Sequence, residues 1–499
     1  MLIRISYQDL RLFRRKSPTV ETGSMINHAH NRIRWVPVRP LACRNRTAGN
    51  NGIAAERCMA DTQSTGNAVS PATGRGAAWY GTIAVSLAFT LSYIDRQILS
   101  LLVTSIKASL GLSDTQIGIL QGVSFSIFHV LATLPLAWLA DRVHRPRLMA
   151  ACMIAWSFAT CAAGLAFSFG SLMLARIGVA VSEAGLPPAA QSLLADLHDR
   201  PGLARATSIF MLAPFVGGGL ALTLGGKLYA ASASWDLSGM AAFAALERWQ
   251  LILLLAGLPG LVLAPAMAFT VREPRMGMAA ARPHAAKGAL AAFLVENRAF
   301  CFPFMIAIAL LITILNAFVA WMPTALMRRH GLDEAAVGQG FGIVFILAGA
   351  SGTLTAGWLV SRLRKEQMLE RTVRLMRGAA IIMFLPATFA PLAANLGQAL
   401  ALLAPAIFVL SAIISMSSIP FQFIAPPQLR AQALAALSIA AAFVGTGLGP
   451  LLIGLLSDGF EASAAIDPLA CALAIAAGVI LPIIAICLSI AARSVADLP

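Results

Sequence analysis

GLSDTQIGILQG at 111–122 lies over GLDEAAVGQGFG at 331–342, and this pairing decides the fold. At the same spacing, and without a gap, the match runs across 111–145 and 331–365, where AWLADRVHR faces GWLVSRLRK. Ten of the 35 positions are identical, including Gly111/Gly331, Gly118/Gly338, Gly122/Gly342, Trp138/Trp358 and Arg142/Arg362. A second match follows in the same order, FVGGGL at 215–220 over FVGTGL at 443–448. Charged and glycine positions are shared along with apolar ones, so chance likeness between greasy segments is a poor account. The chain reads as two copies of one unit.

Composition says what the unit is. Of 499 residues, 58% are hydrophobic and only 12% charged, with a mean hydropathy of +0.77. Soluble domains carry about 25% charged residues. Apolar stretches of about 20 residues, enough to cross a roughly 30 Å hydrocarbon core, recur along the chain. Twelve spans are predicted, at roughly 78–105, 117–139, 148–169, 171–195, 205–228, 249–271, 299–326, 335–360, 376–394, 397–424, 431–456 and 469–491. Charge or proline interrupts 171–195 and 397–424. The expected fold is an all-α membrane protein of twelve transmembrane helices in two pseudo-symmetric six-helix bundles, 77–271 and 299–499, joined by a polar cytoplasmic linker at 272–298. Parallel repeats that meet at a mid-membrane site are a transporter architecture. A mildly amphipathic segment at 231–248 is expected along the membrane surface.

The net charge of +15 does not point to nucleic acid. Twelve of the 37 Lys and Arg residues lie in 1–76, and nearly all the others sit in short loops between apolar spans. Basic loops at membrane surfaces account for that pattern. Loops on the N-terminal side hold 18 Lys and Arg; the opposite loops hold Lys107, Lys227, Arg248, Arg328 and Arg329. This bias predicts cytoplasmic termini, and a bacterial inner (plasma) membrane is the expected location. Residues 1–76 contain no apolar run, which excludes a signal peptide core there. The segment is expected to be a disordered basic extension, with Met25 or Met59 as an alternative start. Seven cysteines without a CxxC spacing read as small buried side chains, not as a metal or disulfide framework.

Only two of the 22 acidic residues, Asp95 and Glu183, fall inside long apolar runs. An ionised carboxylate there costs roughly 2.5–3.5 kcal/mol on insertion scales, so such residues tend to face a protein interior or a watery path. Arg96 follows Asp95, and Arg176 precedes Glu183 by seven positions, two helical turns, so those two share a face. If spans 1 and 4 are neighbours, each acid can reach an arginine on the other helix. Burial and arginine then pull the carboxylates' proton affinity in opposite directions, and water entry can tip the balance. A permanent ion pair holding two helices together is the alternative. His129, mid-span, is either a proton relay or a hydrogen-bonded packing residue. Tyr93, Asn316, Trp321 and Gln422 lie at depths suited to a central cavity, though interhelical hydrogen bonding explains them equally well. Pro187 and Pro188 are expected to bend span 4.

After span 2 the chain reads PLAWLADRVHRPR, which resembles the signature loop of the major facilitator superfamily. Leu139, Ala140, Asp141, Arg142, Arg145 and Arg147 fit; Ala137 and His144 replace the usual glycines. The second copy keeps Gly357, Leu359, Arg362 and Lys365 but has Ser361 in place of an acid. An aspartate at a helix end can accept from another helix's N–H groups while arginines bind carboxylates or lipid phosphates. Asp141, Arg142, Arg145 and Arg362 are therefore expected to form a conformational latch; simple enforcement of topology would explain the arginines but not Asp141. Residues 93–122, 175–196 and W-x-P at 321–323 are similar to the spinster-type branch, whose members include lipid and lysolipid exporters. That resemblance implies proton-linked transport centred on Asp95, Arg96, Arg176 and Glu183.

No Walker loop, HExxH, GxSxG or metal-ligand cluster is present, so no enzyme and no cofactor beyond the proton is expected. The reading is a monomeric secondary transporter moving an amphipathic or lipid-like organic solute by alternating access, with membrane lipids around it. The alternatives are a proton-linked carrier of a small organic anion and, from another class, a non-transporting sensor or scaffold.

Overall fold

A computed structural model describes residues 74–236, 245–274, 288–426, 429–463 and 466–495. Nearly all of the basic extension, both alternative start positions, and the middles of the 231–248 segment and the 272–298 linker lie outside these residues. Among those described, twelve helices are long and apolar enough to span a membrane. They are α1 (Arg75–Leu101), α2 (Asp114–Ala140), α3 (Arg145–Gly164), α4 (Phe169–Leu197), α5 (Gly202–Ser234), α6 (Arg248–Thr270), α7 (Arg298–His330), α8 (Glu334–Ser361), α9 (Met368–Leu392), α10 (Leu396–Ile424), α11 (Gln432–Ala462) and α12 (Pro468–Ser494). Most boundaries fall within a few residues of expectation. Helix α9 starts earlier, at Met368, because its polar first turns are helical too, with Glu370 and Arg374 paired at 2.5 Å.

Local chemistry sets the ends in duplicate. Gly111 and Gly331 both adopt left-handed conformations, φ 64° and 63°, which only glycine reaches at no steric cost. Two residues on, the Ser113 hydroxyl caps α2 through the Gln116 N–H, and Asp333 caps α8 through the Ala336 N–H. Helix α4 breaks at Ala184–Gly185 just ahead of Pro187 and Pro188, and α10 breaks at Ser417–Ser418 ahead of Pro420. Proline lacks the N–H that would continue each ladder.

Packing repeats with the sequence. In the first half α1 packs on α5 and α6, α2 on α4, and α3 on α4 and α6; in the second, α7 packs on α11 and α12, α8 on α10, and α9 on α10 and α12. The halves meet along two seams, α2 against α11 and α5 against α8, which exchange under the same pairing of repeats. The matched sequences are the two faces of these seams. A Cβ on Gly122 would stand 2.4 Å from the Gly447 carbonyl oxygen, and one on Gly342 would stand 2.8 Å from that of Gly219. Backbones approach this closely only where side chains are absent. All four glycines lie toward the end opposite the termini, so the bundles close at that end.

The seams are not identical. Residues Ile119–Val123 of α2 and Ala441–Thr446 of α11 are wound as π-helix where they face each other, whereas α5 and α8 are α-helical at the matching positions. Single π turns widen a helix locally and recur at functional sites.

Candidate functional site: a charged cluster beside the inter-bundle cavity

The buried charges come together in the first bundle. Arg96 Nη2 of α1 donates to Glu183 Oε2 of α4 at 2.6 Å. Glu183 is 1% exposed, whereas the Arg96 side chain keeps 20% because it also borders a cavity. Phe125 of α2 carries both arginines on its ring, Arg96 at 4.3 Å and Arg176 at 5.5 Å from the centroid, and Tyr93 supports Arg96 at 4.8 Å. Aromatic faces hold guanidinium groups without neutralising them. Asp95 is buried inside the first bundle, within electrostatic reach of Glu183 and Arg176 and beside Thr160 of α3.

This network is not saturated. Glu183 Oε1, Arg96 Nε and Arg176 Nε are buried without a hydrogen-bond partner. Such groups are costly in a low-dielectric interior.

A cavity of about 330 Å³ lies between the bundles. Tyr93, Arg96, Phe125, Ser126 and His129 line its first-half wall; Ile308, Ile312, Ser417, Ser418, Leu434, Leu437, Ser438 and Thr446 line the other. His129 Nδ1 is 3.1 Å from the Ala180 carbonyl and its ring stacks on Phe125. Three expected cavity residues do other work. Trp321 is fully buried, its indole N–H donating to Pro450 O at 2.8 Å, which pins α7 to α11. Asn316 donates to Ile312 O within its own helix, and Gln422, near the end of α10, donates to Ser418 Oγ. A polar or aromatic side chain at the right depth can face any of several neighbours, and depth was the sole signal for these three. Phe125 and the serines of the far wall escaped sequence reading because nothing in the chain marks their facing.

Away from the termini, a second polar group ties the bundles. The buried Asp114 carboxylate accepts from Arg328 at 2.8 Å twice, from Ser457 at 2.7 Å and from Lys107 at 2.5 Å. Asp458 accepts the backbone N–H groups of Asp114 and Thr115 at 3.0 and 2.8 Å. In the sequence, Lys107 and Arg328 counted only as loop charges. The one available signal was the clustering of Lys107, Asp114 and Arg328 near the two matched glycines.

The expected latch residues separate. Arg145 is 1% exposed and holds Glu273, which follows α6, together with Asp196 and Ser192 of α4. Its contacts thus stay within the first bundle. Asp141 is the C-cap residue of α2. Arg142 and Arg362 lie over the Trp138 and Trp358 rings, at 3.7 and 4.2 Å.

Two bundles, two seams and a cavity between them fit one known architecture. The Major Facilitator Superfamily model matches residues 85–450. The chain belongs to that superfamily. A Mycolicibacterium smegmatis "MFS-type efflux pump" is 27% identical over 383 residues, 76% of this chain and 85% of the relative. The sphingosine-1-phosphate transporter of Mus musculus is 24% identical over 408 residues, 77% of this chain and 71% of its own. A crystal structure of a bacterial homolog to the human lysosomal transporter spinster, inward-facing and occupied, matches with TM-score 0.68 at 26% identity, covering 85% of this chain and 97% of that one. This superfamily member is a multi-pass membrane transporter of the spinster type.

Proposed function

We propose that the chain is a proton-driven secondary transporter that carries an amphipathic organic solute by alternating access. One observation supports this most directly: Arg96 faces the cavity while bound to a buried glutamate that has an unpartnered oxygen. A proton on Glu183 would cancel its charge and release Arg96 toward the acidic head of a solute; loss of the proton would restore the pair and expel the head. Asp95 and Arg176, within electrostatic reach of the pair, would complete the coupling group. The apolar side chains Ile308, Ile312, Leu434 and Leu437 offer room for a tail.

The bundles close away from the termini. If the termini are cytoplasmic, as the loop charges predict, and the membrane is a bacterial inner membrane, the cavity would be in its inward-facing state. Passage to the outward-facing state would require Asp114 to part from Arg328 and Ser457. A monomer suffices for this cycle. A second reading, a small hydroxylated organic anion as cargo, draws support from the six hydroxyl-bearing residues lining the cavity: Tyr93, Ser126, Ser417, Ser418, Ser438 and Thr446.

Proteoliposomes carrying either a lysophospholipid or gluconate test both readings. An imposed pH gradient is expected to drive flux of the lysophospholipid, and Asp95→Asn and Glu183→Gln to abolish gradient dependence while solute exchange persists. Gradient dependence unchanged in both variants would refute the coupling role. Gluconate flux without lysophospholipid flux would favour the second reading.

A further inference from the structure

We infer that the chain carries two pseudo-equivalent binding sites for the phosphate of an anionic phospholipid headgroup. Each is a tryptophan–arginine stack at the terminus-side end of a seam helix: Trp138 with Arg142 on α2, and Trp358 with Arg362 on α8. Three observations meet here.

The first is geometric. Each guanidinium carbon lies over the indole one turn before it, at 3.7 and 4.2 Å from the ring centroid. Arg142 Nη1 is further anchored on Trp138 O at 3.1 Å. A guanidinium held over a ring by one face keeps its remaining edge donors for a phosphate, which it can take bidentately.

Exposure is the second. Trp138 and Trp358 are 57% and 54% exposed, so packing inside the protein does not explain either ring. At the ends of membrane spans, indoles lie at headgroup level, where arginine meets lipid phosphate.

The third comes from the duplication. Only ten of 35 aligned positions stayed identical, yet both members of both stacks are among them. The neighbouring acid did not persist: Asp141 faces Ser361. Exposed Arg147, in the first turn of α3, and exposed Arg364, in the loop after α8, add positive charge. Because α2 borders α11 and α8 borders α5, the two headgroups would flank the cavity mouth on opposite sides.

Native mass spectrometry of the full-length protein, titrated with phosphatidylglycerol or phosphatidylcholine, reads the sites directly. Wild type is expected to retain two more phosphatidylglycerol than phosphatidylcholine molecules. Arg142→Gln and Arg362→Gln should each weaken one site by about fivefold, the effect of one basic residue near an anionic surface, and the double variant should lose the preference. Arg371→Gln removes the same charge from an exposed position elsewhere and should change nothing. Arg→Lys at either site should bind less than wild type, since an ammonium cannot stack. Monodisperse elution of each variant separates lost binding from lost folding. Four results would overturn the inference: an undiminished double variant, an equal loss in Arg371→Gln, equal retention of phosphatidylcholine, or displacement of phosphatidylglycerol by millimolar inorganic phosphate, which would mark a free-anion site.

Discussion

The two bundles share a fold but not a chemistry. Counting back from the left-handed glycines Gly111 and Gly331, Asp95 and Arg96 correspond to Leu315 and Asn316. Counting from the caps Ser168 and Asn395, Arg176 and Glu183 correspond to Leu403 and Leu410. Phe125 corresponds to Phe345. Leu315, Leu403, Leu410 and Phe345 come together in the second bundle too, around an apolar crevice of only about 20 Å³. The same packing position is thus filled with leucine in one half and with a charge network in the other. Replacing buried charges by well-packed apolar residues is often neutral or stabilising. On that ground the first half is expected to fold without its charges, which is what the coupling role proposed for them requires.

The sharpest way to break this comparison is to write the second half's residues into the first. Asp95→Leu, Arg96→Asn, Arg176→Leu and Glu183→Leu combined should give a folded protein, at least as heat-stable as wild type, with no transport. Thermal unfolding in detergent together with flux checks both parts, and failure to fold would mean the cluster is structural. By contrast, Arg96→Leu alone strands Glu183 and should cost about 3–5 kcal/mol, visible as a large drop in melting temperature.

Next in size is the seam. Gly122→Val puts a side chain against the Gly447 carbonyl and should part the bundles at the closed end, costing about 1–3 kcal/mol. Spin-label distances between the outer ends of α2 and α11 should lengthen. If the distance distribution stays fixed, the seam is not what closes that end. Valine at Gly342, in the purely α-helical seam, should be tolerated less well, because no π turn is there to absorb it.

The smallest expected effect lies outside the spans. His198 contacts Thr82 of α1 at 2.6 Å and stacks edge-on to Trp79. Burial pushes its imidazole below the ordinary value, against the opposing pull of the Ala78 carbonyl and Asp199. A histidine with a lowered folded value stabilises above its unfolded value, near 6.5, and loses that contribution as pH falls toward the folded one. Stability should therefore decline slightly below about pH 6.5, and His198→Gln should flatten that slope in melting curves.

Most of the fold was legible because hydrocarbon imposes a simple rule: a span must be long, apolar and helical. The glycines matched between the repeats lie where backbones approach closely, since only a missing side chain permits it. Asp95, Arg96, Arg176 and Glu183 stood out as charges in grease. The rest was less readable. Trp321 resembled a cavity residue and proved to be a pin; Arg145 resembled a latch and proved to be tied within its own bundle. Asp114, Arg328 and Lys107 sat in loops, where charges usually serve only topology.

Spans, duplication and the presence of buried charge follow from the order of residues alone, since each depends on composition along a single helix or on a repeat within the chain. Which charge meets which, which wall of the cavity a serine faces, and at which end the bundles close depend on the rotation and approach of helices distant in sequence. Those are settled by side-chain packing between elements, so only the assembled bundles decided them.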